Sequence, residues 1–352
     1  MAKRSKGSDE NFESDRVAEF PHPREAETML GQGAALDLAS AALRGGHPPH
    51  AWLITGPPGI GKATMAYRMA RYLLRYGATD QGSADLSVSK DDAVARQIGA
   101  RAHPGLLVLK RGLNPRTGKP QTELPVDEVR RLSGFFGMTA GADGWRIVIV
   151  DPADDMNENA ANALLKQLEE PPEKAMLLLL SHRPGRLLPT IRSRCRRLEL
   201  RPLPDEMVER ALLALLPDME DEERRALAQM AGGSIGAALT LADGDGAVLA
   251  AEATNVIERA REPDLVALYA LGEKIGRMRD GLSLFGDFLS AALSERVRVK
   301  ARAGGDARRW AEAAMRLEEQ FARADGLNLE PRQTIWTAAR TLVAAARRGG
   351  SI

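Results

Sequence analysis

Seven consecutive residues, Gly56-Pro57-Pro58-Gly59-Ile60-Gly61-Lys62, have the glycine spacing of a Walker A phosphate loop. Glycines let backbone N–H groups turn inward around phosphate oxygens, the start of the following helix adds its dipole, and the lysine ammonium reaches the terminal phosphates. The next position should carry a Ser or Thr hydroxyl for Mg²⁺. Here it is Ala63, and Thr64, one step on, points about 100° further round a helix. Hydrolysis also needs a strand ending in an acidic residue that holds Mg²⁺ through water, with an adjacent carboxylate that activates the attacking water. Ile147-Val148-Ile149-Val150 runs into Asp151, but the neighbour is Pro152, which accepts no proton, and Asp154 and Asp155 lie two and three residues beyond that place. Losing a general base costs about 10²- to 10⁴-fold in rate. The candidate nucleotide-binding residues are therefore Gly56, Gly59, Gly61, Lys62, Ala63, Thr64 and Asp151, with an incomplete Mg²⁺ ligand set and ATP bound weakly or not at all. The competing reading is a glycine-rich strand-to-helix turn without ligand, followed later by an Asp that merely caps a helix or turn.

The elements around the loop are those it requires. Ala51 to Thr55 is a short apolar strand, and Ala63 to Tyr76 has helical composition and period. Leu106 to Leu109, Ile147 to Val150 and Met176 to Ser181 are further buried strands. Thr28 to Leu43 and Asn159 to Glu170 read as helices, the second stopped by Pro171-Pro172. Strands alternating with helices imply crossovers and a parallel sheet. Gly112 to Pro120 has turn composition, and residues 1–20 lack an apolar period and read as a disordered tail.

After Arg201-Pro202-Leu203-Pro204 the sequence becomes wholly helical. Leu282, Phe285, Leu289, Leu293 and Val297 form one apolar stripe at 3 and 4 spacing, and Leu342, Val343 and Ala346 suggest another. Gly232-Gly233-Ser234 and Gly244-Asp245-Gly246 interrupt the helical region. The expected organisation is a tail (1–20), an α/β P-loop domain with a parallel sheet and flanking helices (21–201), a small helical lid (202–245) and an all-helical C-terminal domain (250–347).

Composition limits the remaining options. Hydrophobic residues are 44% and charged residues 28% of 352, the usage of a soluble globular chain with a sizeable core. With 49 Lys plus Arg against 48 Asp plus Glu, the net charge of +1 gives no whole-chain attraction to nucleic acid or membrane. The single cysteine, Cys195, excludes an intrachain disulfide and a multi-thiolate site, which fits a reducing cytoplasm, and it reads as a small buried residue rather than a nucleophile. No bound zinc is expected, because Cys195 and five dispersed histidines do not supply four ligands. His103 and His182, beside apolar strands, read as satisfied structural histidines. No stretch approaches the ~20 apolar residues that span a bilayer, and no secretion signal opens the chain.

The most specific signal runs from Asp151 through Asn162-Ala163-Leu164-Leu165-Lys166 and Leu168-Glu169-Glu170-Pro171-Pro172 to Leu188-Pro189-Thr190-Ile191-Arg192-Ser193-Arg194-Cys195. In these residues the chain resembles the AAA+ clamp-loader family, and with its phosphate loop and His103-Pro104-Gly105-Leu106 it resembles the family's delta-prime group in bacterial DNA polymerase III. The motif-rich stretch is Leu30 to Leu203; the helical remainder agrees in size and class with that family's lid and collar domains. The resemblance implies that Arg194 is an arginine finger acting in trans on a neighbouring subunit's nucleotide, and that Ser181 holds the sensor position. It implies partners: the ATPase subunits and the clamp-opening subunit, with the sliding clamp and primer-template DNA reached through the complex and no membrane contact. Three departures point away from intrinsic ATPase activity: Ala63, Pro152, and Gly236, which stands where hydrolysing relatives place a phosphate-sensing arginine. Many relatives carry a four-cysteine zinc module after the first P-loop helix, but residues 77–102 hold no cysteine, so this segment is metal-free or differently folded.

Arg183, Arg186, Arg192, Arg194, Arg196, Arg197 and Arg201 crowd into nineteen residues, and apart from Arg194 they read as a solvated basic face. The leading expectation is a non-hydrolysing, stator-like clamp-loader subunit in DNA replication. The alternatives are an autonomous P-loop ATPase that remodels DNA or protein with Asp154 or Asp155 as base, and a scaffold with a relic phosphate loop.

Overall fold

The computed structural model describes residues 20–112, 121, 123–137, 144–242, 245–278, 281–326 and 329–349. The expected tail up to residue 19, residues 113–120 of the turn segment and Gly244 of the second glycine interruption lie outside these. The chain divides into two compact units, 1–239 and 240–352, and the expected lid falls in the first as far as residue 239.

The first unit contains α1 (Gly33–Arg44), β1 (Ala51–Thr55), α2 (Lys62–Tyr76), α3 (Ala93–Gly99), β2 (Leu106–Leu109), α4 (Val126–Gly137), β3 (Arg146–Val150), α5 (Glu158–Glu169), β4 (Ala175–Ser181), α6 (Pro189–Arg194), β5 (Arg196–Glu199), α7 (Asp205–Leu215), α8 (Asp221–Met230) and the start of α9 (Ile235–Ala242), whose residues from 240 on fall in the second unit. The five strands form one sheet in the order β2-β3-β4-β1-β5, and every pairing is parallel. Successive strand side chains point to opposite faces. Trp52 and Ile54 of β1 accordingly join a core with Met65 and Met69 of α2, whereas Leu53 joins Leu164 and Leu168 of α5 and Ile191 of α6 on the other face. Central parallel strands covered on both faces read as unbroken aliphatic runs, and all seven residues of β4 are buried. This is the expected α/β architecture, a parallel sheet with flanking helices.

The fifth strand is absent from the sequence reading. Arg196–Glu199 has one buried residue in four, Leu198, so it gives no apolar run. It becomes a strand by pairing with β1, Trp52 opposite Arg196 and Ile54 opposite Leu198. The Arg196 guanidinium lies 5.1 Å from the Trp52 ring centroid, and Arg197 Nε donates to Thr55 Oγ1 at 3.4 Å. Two of the arginines assigned to a solvated face thus help build a sheet edge, and charged side chains there discourage further strand pairing. Helices α3 and α4 are likewise additional to the sequence reading.

The second unit comprises α10 (Asp245–Glu258), α11 (Leu265–Arg277), α12 (Gly281–Arg302), α13 (Arg308–Gly326) and α14 (Pro331–Gly349). Phe285, Leu289 and Leu293 of the expected stripe are buried in it, while Leu282 and Val297 are half-buried. Phe285 meets Phe321 of α13 edge to face at 6.1 Å, and Gly286 provides the space, since a Cβ there would stand 2.6 Å from the Phe321 ring.

Candidate functional site

The phosphate loop joins β1 to α2 at the C-terminal end of the sheet, where P-loop folds gather their ligand-binding groups. Lys62 is 4% exposed, and its Nζ donates to the carbonyls of Gly56 at 2.8 Å and Pro57 at 2.6 Å. Burial lowers its ammonium from the usual 10.5 to about 8, against the opposing charges of Asp151 and Asp154. Gly59 has φ +72° and sits under the lid: a Cβ there would stand 2.4 Å from Ser234 Oγ and 3.0 Å from the Gly236 Cα. The Gly236 N–H donates to the Gly59 carbonyl at 2.9 Å, and Ser234 Oγ donates to the Pro58 carbonyl at 3.0 Å. The first turn of α9 therefore touches the loop backbone to backbone. Glycine at 236 is required for this approach, because a Cβ would come within 2.7 Å of the Gly59 Cα.

Asp151, 9% exposed, directly follows β3 and lies in the field of Lys62, so the structure brings these two expected site residues together. Ser181, at the end of β4, is fully buried; its carbonyl accepts from Gly56 N at 3.2 Å, and its hydroxyl donates to Asp154 Oδ1 at 2.6 Å. Asp154 also accepts the backbone N–H groups of His182 and Arg183. It closes the gap between the segment after β3 and the segment after β4. Asp155 Oδ2 faces Arg111 Nε at 2.8 Å. Of the two carboxylates offered as substitute bases, Asp154 is thus held by hydrogen-bond donors of this chain and Asp155 is ion-paired to Arg111.

The glycines and the N-terminus of α2 suit a phosphate cradle. The methyl of Ala63 and the ring of Pro152 do not suit Mg²⁺-dependent hydrolysis, since neither holds metal or accepts a proton. Thr64 is half-buried on α2 and does not replace the missing hydroxyl in its place on the helix. Among the described residues no group of three or more His, Cys, Asp or Glu stands together as a metal site.

The histidines differ from each other. His103 Nδ1 accepts from Gly105 N at 3.1 Å, as expected of a structural histidine. His182 Nδ1 is buried and without a partner among the described residues, contrary to the satisfied role read from the sequence. Burial, followed by the charges of Lys62, Arg183 and Arg111, lowers its imidazole to about 3 and keeps it neutral. Burial pushes the Cys195 thiol up to about 12, which suits packing rather than nucleophilic attack.

The segment 77–102 folds without thiolates. Arg68 is 3% exposed and donates to the carbonyls of Asp85 and Glu27, each at 2.6 Å, and to Asp85 Oδ2 at 2.7 Å. Ser40 and Tyr72 hold the carbonyls of Ala84 and Thr79, while Leu86 and Val88 are buried. Burial raises the Asp85 carboxyl, but donors from Ser83 and Ser87 with the Arg68 charge outweigh it and bring it to about 2.

Arg194 ends α6, a six-residue helix that Pro189 starts and whose Ile191 is fully buried against the α5 side of the sheet. Its side chain is 36% exposed; Nη1 donates to the Thr190 carbonyl at 3.1 Å, and Nη2 lies 2.8 Å from Glu169 Oε1 on α5. Sequence reasoning missed this carboxylate partner, the triple acceptor role of Asp154 and the reach of Arg111. All are tertiary pairings between positions that show no common period.

A family model described as DNA polymerase III, delta subunit, matches residues 31–204. The chain is similar to the DNA polymerase III subunit delta' of Pseudomonas aeruginosa, 40% identical over 186 residues that cover 53% of each chain. It is also similar to that of Escherichia coli, 35% identical over 205 residues that cover 58% of each. The DNA polymerase III subunit gamma/tau of Mycobacterium bovis is 31% identical over 201 residues, 56% of this chain and 32% of the relative. The matched part spans about half the length of the delta' relatives. Among solved structures, a DNA polymerase III gamma subunit-related protein of Thermotoga maritima aligns with 89% of this chain and 99% of its own at 17% identity and a TM-score of 0.43. The RuvB Holliday junction branch migration motor of the same organism aligns with 76% and 91% at 18% and 0.45.

Proposed function

We propose that the protein, whose residues 31–204 match the family model described as DNA polymerase III, delta subunit, is a non-hydrolysing, stator-like subunit of a DNA sliding-clamp loader. It completes a ring of ATPase subunits in the cytoplasm and lends one of them Arg194. Its partners are those ATPase subunits and the clamp-opening subunit, and it meets the sliding clamp and primer-template DNA through the complex. The observation that carries this reading is the engagement of the two carboxylates that could substitute for the base: Asp154 accepts from Ser181, His182 and Arg183, and Asp155 is ion-paired to Arg111. The side chains at the metal and base positions, Ala63 and Pro152, neither ligate metal nor accept a proton, which argues against hydrolysis at this chain's own loop. Residual nucleotide binding through Gly56, Gly59, Gly61 and Lys62 is compatible with this role, weakly and without turnover.

The same engagement argues against an autonomous ATPase in which Asp154 or Asp155 is the base. Steady-state ATP turnover by the isolated chain separates the two readings: the expected rate is background. Robust turnover that disappears in Lys62→Ala overturns the stator reading. In a complex reconstituted with the ATPase subunits, adding the chain should raise DNA-stimulated hydrolysis, and adding Arg194→Ala should not.

A further inference from the structure

The placement of Glu169 calls for a physical reason. It is the last residue of α5 and is followed by Glu170, so two carboxylates stand at the helix end that carries the negative pole of the macrodipole. That end favours cations, and Lys166 supplies one in the same turn. A sequence optimised for the stability of α5 alone would not place Glu169 there. What it gains is Arg194: Glu169 Oε1 lies 2.8 Å from Arg194 Nη2, while Arg194 Nη1 closes on the Thr190 carbonyl at 3.1 Å. Both terminal nitrogens of the guanidinium fork are thus committed to this chain, and the fork is what binds phosphate oxygens.

We propose that Glu169 is a latch that parks the Arg194 guanidinium on its own subunit and competes with the neighbouring subunit's nucleotide for it. The proposal rests on the trans role of Arg194 and names how that role is held in check. The two side chains are 36% and 50% exposed, so water screens the pair and its release is easy. The hydrogen bond to Thr190, within α6, keeps the stem of Arg194 in place when Glu169 lets go, so that only the far edge of the fork changes partner. Ile191 keeps α6 docked throughout. Before assembly the latch neutralises an otherwise unpaired guanidinium; at a formed interface the doubly or triply charged phosphate outcompetes a single carboxylate. Glu169 is a positioning residue, acting only through Arg194.

The test uses the reconstituted complex, with single-turnover ATP hydrolysis read at the site next to this subunit. Glu169→Gln keeps the shape of the side chain and removes its charge. The expected result is hydrolysis about two- to fivefold faster at subsaturating ATP, the factor supplied by an ion pair between half-exposed side chains. In an Arg194→Ala background Glu169→Gln should change nothing, and Glu169→Asp, which keeps the charge, should fall between wild type and Glu169→Gln. Arg192→Ala, on the exposed face of α6, is the control for surface charge. A rate unchanged or lowered by Glu169→Gln, or raised equally with and without Arg194, overturns the latch while leaving the finger intact. No loss in Arg194→Ala itself would instead remove the finger on which the latch depends.

Discussion

At the phosphate loop, Lys62 is 4% exposed and its ammonium is held by two carbonyls of its own loop, with the backbone of α9 resting on Gly59. At the end of α6, Arg194 is 36% exposed and is held by one carboxylate and one carbonyl, contacts that a stronger anion can replace. Both corners belong to the same unit and both carry a cation suited to phosphate. The first is buried and held by two carbonyls of its own loop, so changing it alters the loop's own stability and its phosphate cradle. The second rests on a surface ion pair worth about 0–1 kcal/mol, so changing it leaves folding alone and alters what the surface can bind. A cation buried among its own partners is structural, and a cation at a replaceable contact is available to a neighbour.

The largest expected effect breaks the comparison if it is absent. In the reconstituted complex Arg194→Ala should fold, assemble and lower hydrolysis at the adjacent site by about 10³-fold, the lower end of what an arginine finger supplies. Arg192→Ala should leave that rate unchanged, and it is a better control than Arg196→Ala, because Arg196 covers Trp52. Equal behaviour of Arg194→Ala and Arg192→Ala in single-turnover assays would leave the two corners without a functional difference.

A second prediction tests the closed side by pH. Lys62 has a folded-state pKa of about 8 against an ordinary 10.5, so between these values the unfolded chain binds more protons than the native one. Stability therefore rises with pH through this window, by about 2 kcal/mol for a shift of this size at a buried site. Denaturant unfolding at pH 7.5 and 9.5 should show that gain in wild type and lose it in Lys62→Met. An identical pH dependence in both chains would place the Lys62 ammonium in solvent rather than inside the loop.

Gly59→Ala sharpens the same point sterically. The new Cβ would collide with Ser234 Oγ at 2.4 Å and occupy a φ of +72°, so the lid contact must loosen at a cost of about 1–2 kcal/mol. Unfolding midpoints should fall accordingly, and Gly236→Ala should show a similar loss because it meets the same contact from the α9 side. Wild-type stability in both variants would mean that lid and loop are not closed on each other.

The smallest effect concerns the segment 77–102, a polar network near solvent. Asp85 is lowered to about 2 from an ordinary 3.8, so its contribution is fully present above the higher value and is lost as pH falls through the lower one. Because Asp85 is mostly exposed, solvent screening keeps the benefit under about 1 kcal/mol. Asp85→Asn should cost that much at pH 7 and progressively less as pH falls toward 2 in urea unfolding; a loss undiminished at pH 2 would assign its role to shape rather than charge.

Four of the five strands, the P-loop helix and the change from α/β to helical composition follow from the sequence, because buried parallel strands and amphipathic helices leave period and composition in the chain itself. Gly56 to Lys62 and Asp151 are legible for the same reason: a phosphate loop is a local structure, set by glycines at fixed spacing between one strand and one helix. Ala63, Pro152 and Gly236 are legible as departures because each is a missing group at a known offset. The fifth strand is not, since Arg196 and Arg197 lack an apolar signal and become a strand only where β1 offers its open edge. The engagement of Asp154 by residues 181–183, of Asp155 by Arg111, of Gly59 by Gly236 and of Arg194 by Glu169 belongs to the tertiary structure alone. Hydrogen bonds and ion pairs act over about 3 Å, and residues far apart in the chain come within that distance only after the sheet and its helices have packed.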